Sequence, residues 1–398
     1  MQQVPQTLFN KPDANALEVS QNLGNLIRQK IANEGGSIHF CDYMETALYE
    51  PGLGYYNNGS VKLGAGGDFV TAPEVSDIFS QCLAQQCHQI LLEIEHPVIL
   101  EAGPGNGTLA CGLMTALQSM DCVPERYYLL ETSADFRERQ QRLVSQQLPG
   151  LQDRFVWLER LPQEPLNGVI LANEVLDALP VDRIMYRDEQ WSELAVCLDN
   201  EEFAWCTVPA GEGETLKEEL SLIDSTRYDD EYPDGYITEI SPRLKPWLYS
   251  FAELLERGLL LLIDYGYSRR EYYHPQRVDG TLICQFQHKV HNDPFLYPGL
   301  QDISASVDFT AVAEAANKAG LQVSGYTTQA HFLINCGLEQ LLPTITPDSP
   351  VERTKLAREI QTLMMPGQMG EHCKAIALTR EQNNNLLGFK QFDQRHRL

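Results

Sequence analysis

The sequence lacks the devices by which many chains reach a membrane, a disulfide frame or a nucleic acid. No apolar run approaches the roughly 20 residues that a membrane-spanning helix needs. There are 10 cysteines but no Cys-x-x-Cys pair, so neither a disulfide frame nor a structural zinc site is expected. Cys82 and Cys87 fall in a helical pattern and Cys197 follows the apolar run Leu194-Ala195-Val196; these thiols read as reduced and buried. Basic residues are few: 30 Lys and Arg stand against 55 Asp and Glu, a formal net charge of −25. A phosphate backbone needs a basic face, so no nucleic-acid partner is expected. Residues 1–15 carry neither a basic-plus-apolar leader nor an Arg-rich amphipathic pattern, so the chain is expected to be cytoplasmic, with no membrane insertion. His288 and His291 have no third ligand at regular spacing; they read as hydrogen-bonding loop histidines, and no metal is expected.

What is present is organised around residues 98–109. Val98, Ile99 and Leu100 form a short apolar run, as in a strand buried on both faces. Glu101 ends it, and Gly103, Gly105 and Gly107, with Pro104 in the same cofactor-binding loop, let the backbone turn sharply and approach a ligand because glycine has no Cβ. Thr108 and Leu109 open a helical pattern. Strand, glycine loop and helix together make the nucleotide-binding turn of a doubly wound sheet. The spacing E-x-G-x-G-x-G resembles the first motif of class I S-adenosyl-L-methionine (SAM) methyltransferases. That resemblance implies that the loop packs against the methionine part of SAM and that Glu101 helps hold its charged amino-acid end, directly or through water. The apolar run 127–130 ends in Glu131, where a carboxylate accepts hydrogen bonds from both ribose hydroxyls. A solvated acid at a helix start is the plainer alternative for Glu131. Glu159, just past the run 155–158, stands where class I enzymes often meet the adenine.

Further strands are expected at 168–172 and 259–263, with a closing pair from Leu321 and from Ala375. Strands alternating with helices argue a mainly parallel sheet. The expected fold is therefore α/β, a seven-stranded doubly wound sheet with a reversed last strand. Residues 1–95 read as an N-terminal helical cover, 96–181 and 241–380 as the SAM-binding domain, 182–240 as an antiparallel β-rich insertion and 381–398 as a polar tail. A helix capped by Asp42 is expected within the cover, and residues 268–307 read as largely loop. Asn173 and Glu174 follow the strand at 168–172, at the edge where open α/β sheets bind ligands. Glu174 and Asp177 are three residues apart and would share a face on a helical turn. Two carboxylates so placed repel unless a cation lies between them, and a guanidinium is one such cation.

The sequence resembles the MidA family, which includes the mitochondrial complex I assembly-factor protein arginine methyltransferase. The motifs that carry the resemblance span nearly the whole chain. They include Tyr49-x-Pro51-x-x-Gly54-Tyr55-Tyr56, Gly67-Asp68-Phe69-x-Thr71-x-Pro73-Glu74 and the glycine loop. Asn173-Glu174-x-x-Asp177-Ala178-Leu179-Pro180, Leu262-Ile263-Asp264-Tyr265-Gly266 and His288-x-Val290-His291-x-Asp293-Pro294 follow in order. The resemblance implies that Gly67, Asp68, Phe69, Thr71, Pro73, Glu74, His291 and Asp293 belong to the cover over cofactor and substrate. It also implies an arginine of a protein partner, of the respiratory complex I type, as methyl acceptor. Asn292, Gln285 and Gln287 depart from the family pattern, which bears on the substrate more than the cofactor. Glu174 and Asp177 are then the expected guanidinium clamp, with Asn173 bridging cofactor and substrate. A SAM-binding assembly scaffold with little turnover and a small-molecule methyltransferase are the alternatives; Thr108 and Glu101 disfavour a nicotinamide oxidoreductase.

Overall fold

The apolar runs around the glycine loop form the centre of one parallel sheet in the computed structural model, which describes residues 9–59, 70–210, 214–225, 232–345, 347–382 and 385–398. The chain divides into two compact units. One comprises Met1–Phe69, Asp177–Leu244 and Ser268–Val307; the other comprises Val70–Leu176, Lys245–Tyr267 and Asp308–Leu398.

The second unit carries the sheet. Its strands are β1 (Val98–Ala102), β2 (Arg126–Leu130), β3 (Phe155–Leu158), β4 (Leu166–Asn173), β5 (Leu255–Tyr267), β6 (Gln322–Thr328) and β7 (Cys373–Arg380). They follow one another in the order β6-β7-β5-β4-β1-β2-β3. Strands β1 to β5 pair in parallel, while β7 runs antiparallel to both β5 and β6. The reversed strand expected from the sequence is thus β7. Buried apolar residues on the central strands, such as Ile99, Val169, Leu171, Leu259 and Leu261, form one core with helix residues such as Phe79, Leu83, Leu113 and Met114. The helices bearing on the site are α1 (Ala72–Val75), α2 (Asp77–Leu91), α3 (Thr108–Ser119) and α4 (Ala134–Gln147). On α4 the buried stripe is Phe136, Gln140 and Val144, four residues apart along one face. The last residues are not a free tail: Leu386 and Phe389 are buried.

Gly168 sits where β4 passes Val98 of β1 on one side and Gly258 of β5 on the other. A Cβ there would lie 1.9 Å from the Val98 carbonyl oxygen, a contact that backbone cannot relieve by rotamer change. Gly168→Ala is expected to destabilise the unit by about 3 kcal/mol, the upper range for overpacking. Urea denaturation checks this; an unshifted midpoint would contradict it.

The first unit is built on antiparallel pairing. Its main sheet has the order Ser37–Ile38, Gln190–Asp199, Asp182–Arg187, Tyr236–Ile240, with Glu202–Pro209 pairing on Gln190–Asp199. The expected insertion strands are therefore present, joined by a short strand from the N-terminal region. The helix expected from Asp42 starts earlier, at Phe40, with His39 at its N-cap and Asp42 in its first turn. Aromatic stacking explains the earlier start, because Phe40 packs on Tyr43 and Trp205. The stretch expected as loop also folds: Ile283–Phe286 pairs with Lys289–His291 and with Asp302–Ser304. Gln287 and His288 take φ of 50° and 59°, the left-handed pair that a two-residue hairpin turn demands.

Candidate active site

Register brings the predicted residues of the second unit to one edge. Ala102 pairs with Leu130 and with Ala172, Leu130 with Leu158, and Ile263 with Asn173. Gly103, Glu131, Glu159, Glu174 and Asp264 each come directly after one of these paired residues, so they lie together at the edge where the parallel pairing of the five strands ends. Ligands of open α/β sheets bind in that crevice. Two more backbone bonds extend the ladder into it, Gly103 N–H to Leu130 O at 3.2 Å and Glu131 N–H to Leu158 O at 2.9 Å.

The glycine loop needs its glycines. Gly103, Gly105 and Gly107 take φ of 64°, 54° and 87°. A Cβ on Gly103 would lie 2.9 Å from Val175 Cγ2. Gly107 caps α3 in the left-handed region, and the Asn106 side chain accepts from Thr108 N–H at 3.0 Å. Beneath the loop the Glu101 carboxylate is buried and accepts from the Tyr127 hydroxyl at 2.7 Å. Burial pushes Glu101 up to about 7, against that hydrogen bond. Burial also pushes Glu131 up to about 7, opposed by Ser133 N–H, Gln140 and Arg137. Ser133 N–H donates to Glu131 Oε1 at 2.8 Å.

Asn173 and Glu174 lie beside the loop. Glu174 has φ 53°, and its N–H donates to Ile263 O at 2.8 Å. The following backbone is held by Asp264: Val175 N–H and Leu176 N–H donate to its Oδ2 at 3.0 and 2.8 Å. The Glu174 carboxylate accepts from Ala72 N–H at 3.1 Å and from Asn173 Nδ2 at 3.3 Å. Burial pushes Glu174 up to about 8; the Ala72 N–H opposes this, and Asp264 and Glu74 add to it. Asn173 Oδ1 is buried and finds no hydrogen-bond partner among the described residues. An acceptor left open at this edge suits a cationic or N–H-bearing ligand, because a buried polar atom without a partner is costly.

The segment at Thr71 to Glu74 docks on both parts of the site. Thr71 and Glu74 form a capping box at the start of α1, with Pro73 in its first turn. Glu74 Oε1 accepts from Asn106 Nδ2 at 2.5 Å, so the expected cover motif reaches the glycine loop. Asp264 appears in the sequence only within the motif Leu262-Ile263-Asp264-Tyr265-Gly266, with no role expected of it, and Asn106 carries no signal of its own.

The other predicted residues are held differently. Gly67, Asp68 and Phe69 lie outside the described residues. The helical turn expected to align Glu174 with Asp177 does not form: Glu174 is left-handed, the residues between are a bend, and Asp177 belongs to the first unit, where its carbonyl accepts from Ala305 N–H at 2.9 Å. Glu159 is exposed and paired with Arg137 at 2.9 Å. His291 and Asp293 lie in the first unit, where Asp293 N–H donates to His291 Nδ1 at 3.3 Å and Asp293 Oδ1 accepts from Phe295 N–H at 3.0 Å. Both are locked into a local turn. In the same unit His39, Asp182 and Glu193 bring one possible metal ligand each within 4.8 Å of one another, with His39 hydrogen-bonded to Glu193. These three are far apart in sequence, so no spacing announced them.

Strand order, glycine turn and the flanking acids define a class I SAM-dependent methyltransferase. The chain belongs to the family of S-adenosyl-L-methionine-dependent methyltransferases, matched over residues 82–327. A protein from Burkholderia thailandensis crystallised with S-adenosyl-homocysteine is 39% identical, with a TM-score of 0.93 over 98% of this chain and 100% of that one. A native crystal structure from the same organism is 38% identical, with a TM-score of 0.89 at the same coverage. Protein arginine methyltransferase NDUFAF7, mitochondrial, of Danio rerio is 25% identical, covering 92% of this chain and 89% of its own. The Drosophila melanogaster homologue is 29% identical, covering 90% and 84%. The chain is a SAM-dependent methyltransferase, and the MidA resemblance holds. Among the described residues no helix is long and apolar enough to cross a membrane. The expectation of a cytoplasmic location gains no support from these relatives, which are named as mitochondrial.

Proposed function

We propose that the chain methylates an arginine side chain of a protein partner, with Glu174 as the carboxylate that receives the guanidinium. The carrying observation is the state of Glu174. Its carboxylate is held in place by Ala72 N–H and Asn173, stands beside the glycine loop, and is pushed up to about 8 with Asp264 and Glu74 nearby. A carboxylate so burdened gains most from a permanent cation, and a guanidinium is one at every working pH. Bidentate pairing would also fix the guanidinium plane. Relatives named as protein arginine methyltransferases support the choice of acceptor.

Bound SAM supplies an electrophilic methyl group on a sulfonium. The residues of this chain would orient and charge the site around it. The glycine loop and Glu101 would hold its methionine part, Glu131 would accept from the ribose hydroxyls, and the open Asn173 Oδ1 would be free to accept from cofactor or acceptor. Glu174 draws the guanidinium charge away from the attacking nitrogen. Holding two reactants in line lowers a barrier by about 7–11 kcal/mol in the best cases. Asp177 is left out of this clamp, because the turn that would have aligned it is absent. The test is transfer of radiolabelled methyl from SAM to arginine-bearing proteins, beginning with respiratory complex I subunits, followed by acid hydrolysis. Label in methylarginine is the expected result. Label confined to lysine, to a terminus or to small molecules would end this reading.

A further inference from the structure

Among the buried polar side chains of the second unit to which this chemistry gives no task is Gln140. Gln140 lies on α4 in the stripe otherwise filled by Phe136 and Val144, and it is 0% exposed. An apolar residue would fit that stripe at less cost, because a buried amide must satisfy two donors and an acceptor. Gln140 satisfies them with three separate parts of the site. Its Nε2 donates to Gly105 O at 2.7 Å and, at 3.4 Å, to Glu131 Oε2. Its Oε1 accepts from the Trp157 indole N–H at 3.0 Å. The partners fix the amide's orientation, since the flipped amide would oppose oxygen to oxygen and N–H to N–H. Gly107 completes the fit: a Cβ there would lie 3.2 Å from Gln140 Cγ.

We propose that Gln140 is a positioning residue for the cofactor, whose one amide joins the glycine loop, the Glu131 carboxylate and the β3 edge at Trp157 into a cradle set before SAM arrives. This rests on Glu131 as the ribose acid. Accepting from two hydroxyls requires the ionised carboxylate. The charged groups set against Glu131 are Arg137 on α4 and Glu101 on β1, and Arg137 is also paired with Glu159. Burial favours the protonated acid, and the Gln140 N–H opposes it. Without that N–H the carboxyl keeps its proton to higher pH, so cofactor binding fails sooner on acidification.

The experiment is calorimetric titration with S-adenosyl-homocysteine from pH 6 to 9, on wild type, Gln140→Leu, Glu131→Gln and Val144→Ala. Gln140→Leu is expected to bind about tenfold more weakly at pH 7, the size of one to two lost hydrogen bonds. Its pH midpoint should move up, with part of the affinity regained at pH 9. Val144→Ala, a cavity in the same stripe, should lower the melting temperature and leave the midpoint in place. Wild-type affinity and an unmoved midpoint in Gln140→Leu overturn the proposal. Unchanged binding by Glu131→Gln overturns the ribose assignment instead, whatever Gln140→Leu does. Should Gln140→Leu not fold, Gln140→Glu keeps the acceptor for Trp157 and removes the donors; an unmoved midpoint there overturns the proposal equally.

Discussion

Glu174→Gln is expected to remove most methyl transfer, about 10²–10³-fold in kcat, while S-adenosyl-homocysteine binds as before. The amide keeps an oxygen for Ala72 N–H, which donates to Glu174 Oε1 at 3.1 Å, so the local backbone has no reason to move. What is lost is the charge. A neutral amide cannot pair with both arms of a guanidinium, nor draw its charge from the reacting nitrogen. Undiminished turnover would remove Glu174 from the chemistry. The same variant makes a second, opposite prediction about stability. The folded pKa of Glu174, about 8, lies above its ordinary 4.5. The fold therefore favours the neutral acid; the stability this contributes is complete below pH 4.5 and is lost as pH rises through 8. At pH 8.5 the wild type bears the cost of a charged, partly buried carboxylate, and the amide does not. Glu174→Gln should then be more stable by roughly 2 kcal/mol at pH 8.5 and nearly equal to wild type at pH 4.5, read by thermal melting. A protein more stable and less active at one position is what a strained functional group predicts. Wild-type kcat/KM should rise with pH through the same range.

The sheet was legible because each of the five parallel strands is an apolar run closed by an acid or a glycine, and buried parallel strands leave that mark. Glu101, Gly103, Glu131, Asn173 and Glu174 could be placed at the carboxyl edge on the same ground. The misplacements have a common cause. Glu174 and Asp177 were aligned by helical periodicity, yet Asp264 takes the N–H groups of Val175 and Leu176, which shapes that backbone into a bend. The partner that decides the turn lies on another strand, so no local spacing displays it. Asn106 and Gln140 are invisible for the same reason: a polar residue in a loop or helix reads as solvated until its distant partners are in view. Residues 268–307 read as loop because their strands are three or four residues long, too short for alternation to show.

Gly103→Ala should cost at least 100-fold in S-adenosyl-homocysteine affinity, on the order of 3 kcal/mol, without unfolding the unit. Two separable effects add. The first is steric: the new Cβ would lie 2.9 Å from Val175 Cγ2, and Val175 cannot retreat because its N–H is held by Asp264 at 3.0 Å. The second is conformational: at φ 64° an alanine is strained by about 1 kcal/mol, and its methyl stands where the loop backbone must approach the ligand. Unlike Gly168, Gly103 is exposed at a strand end, so the fold can absorb the change even where the site cannot. The double variant Gly103→Ala, Val175→Ala separates the two effects. Removing the valine methyls should restore the steric share and leave the conformational one, so affinity recovers in part. Full recovery would mean that the glycine serves only to make room for Val175. No recovery would mean that close backbone approach is its whole purpose. Wild-type affinity in the single variant would show that the cofactor does not lie against this loop, and the site would have to be sought elsewhere along the carboxyl edge.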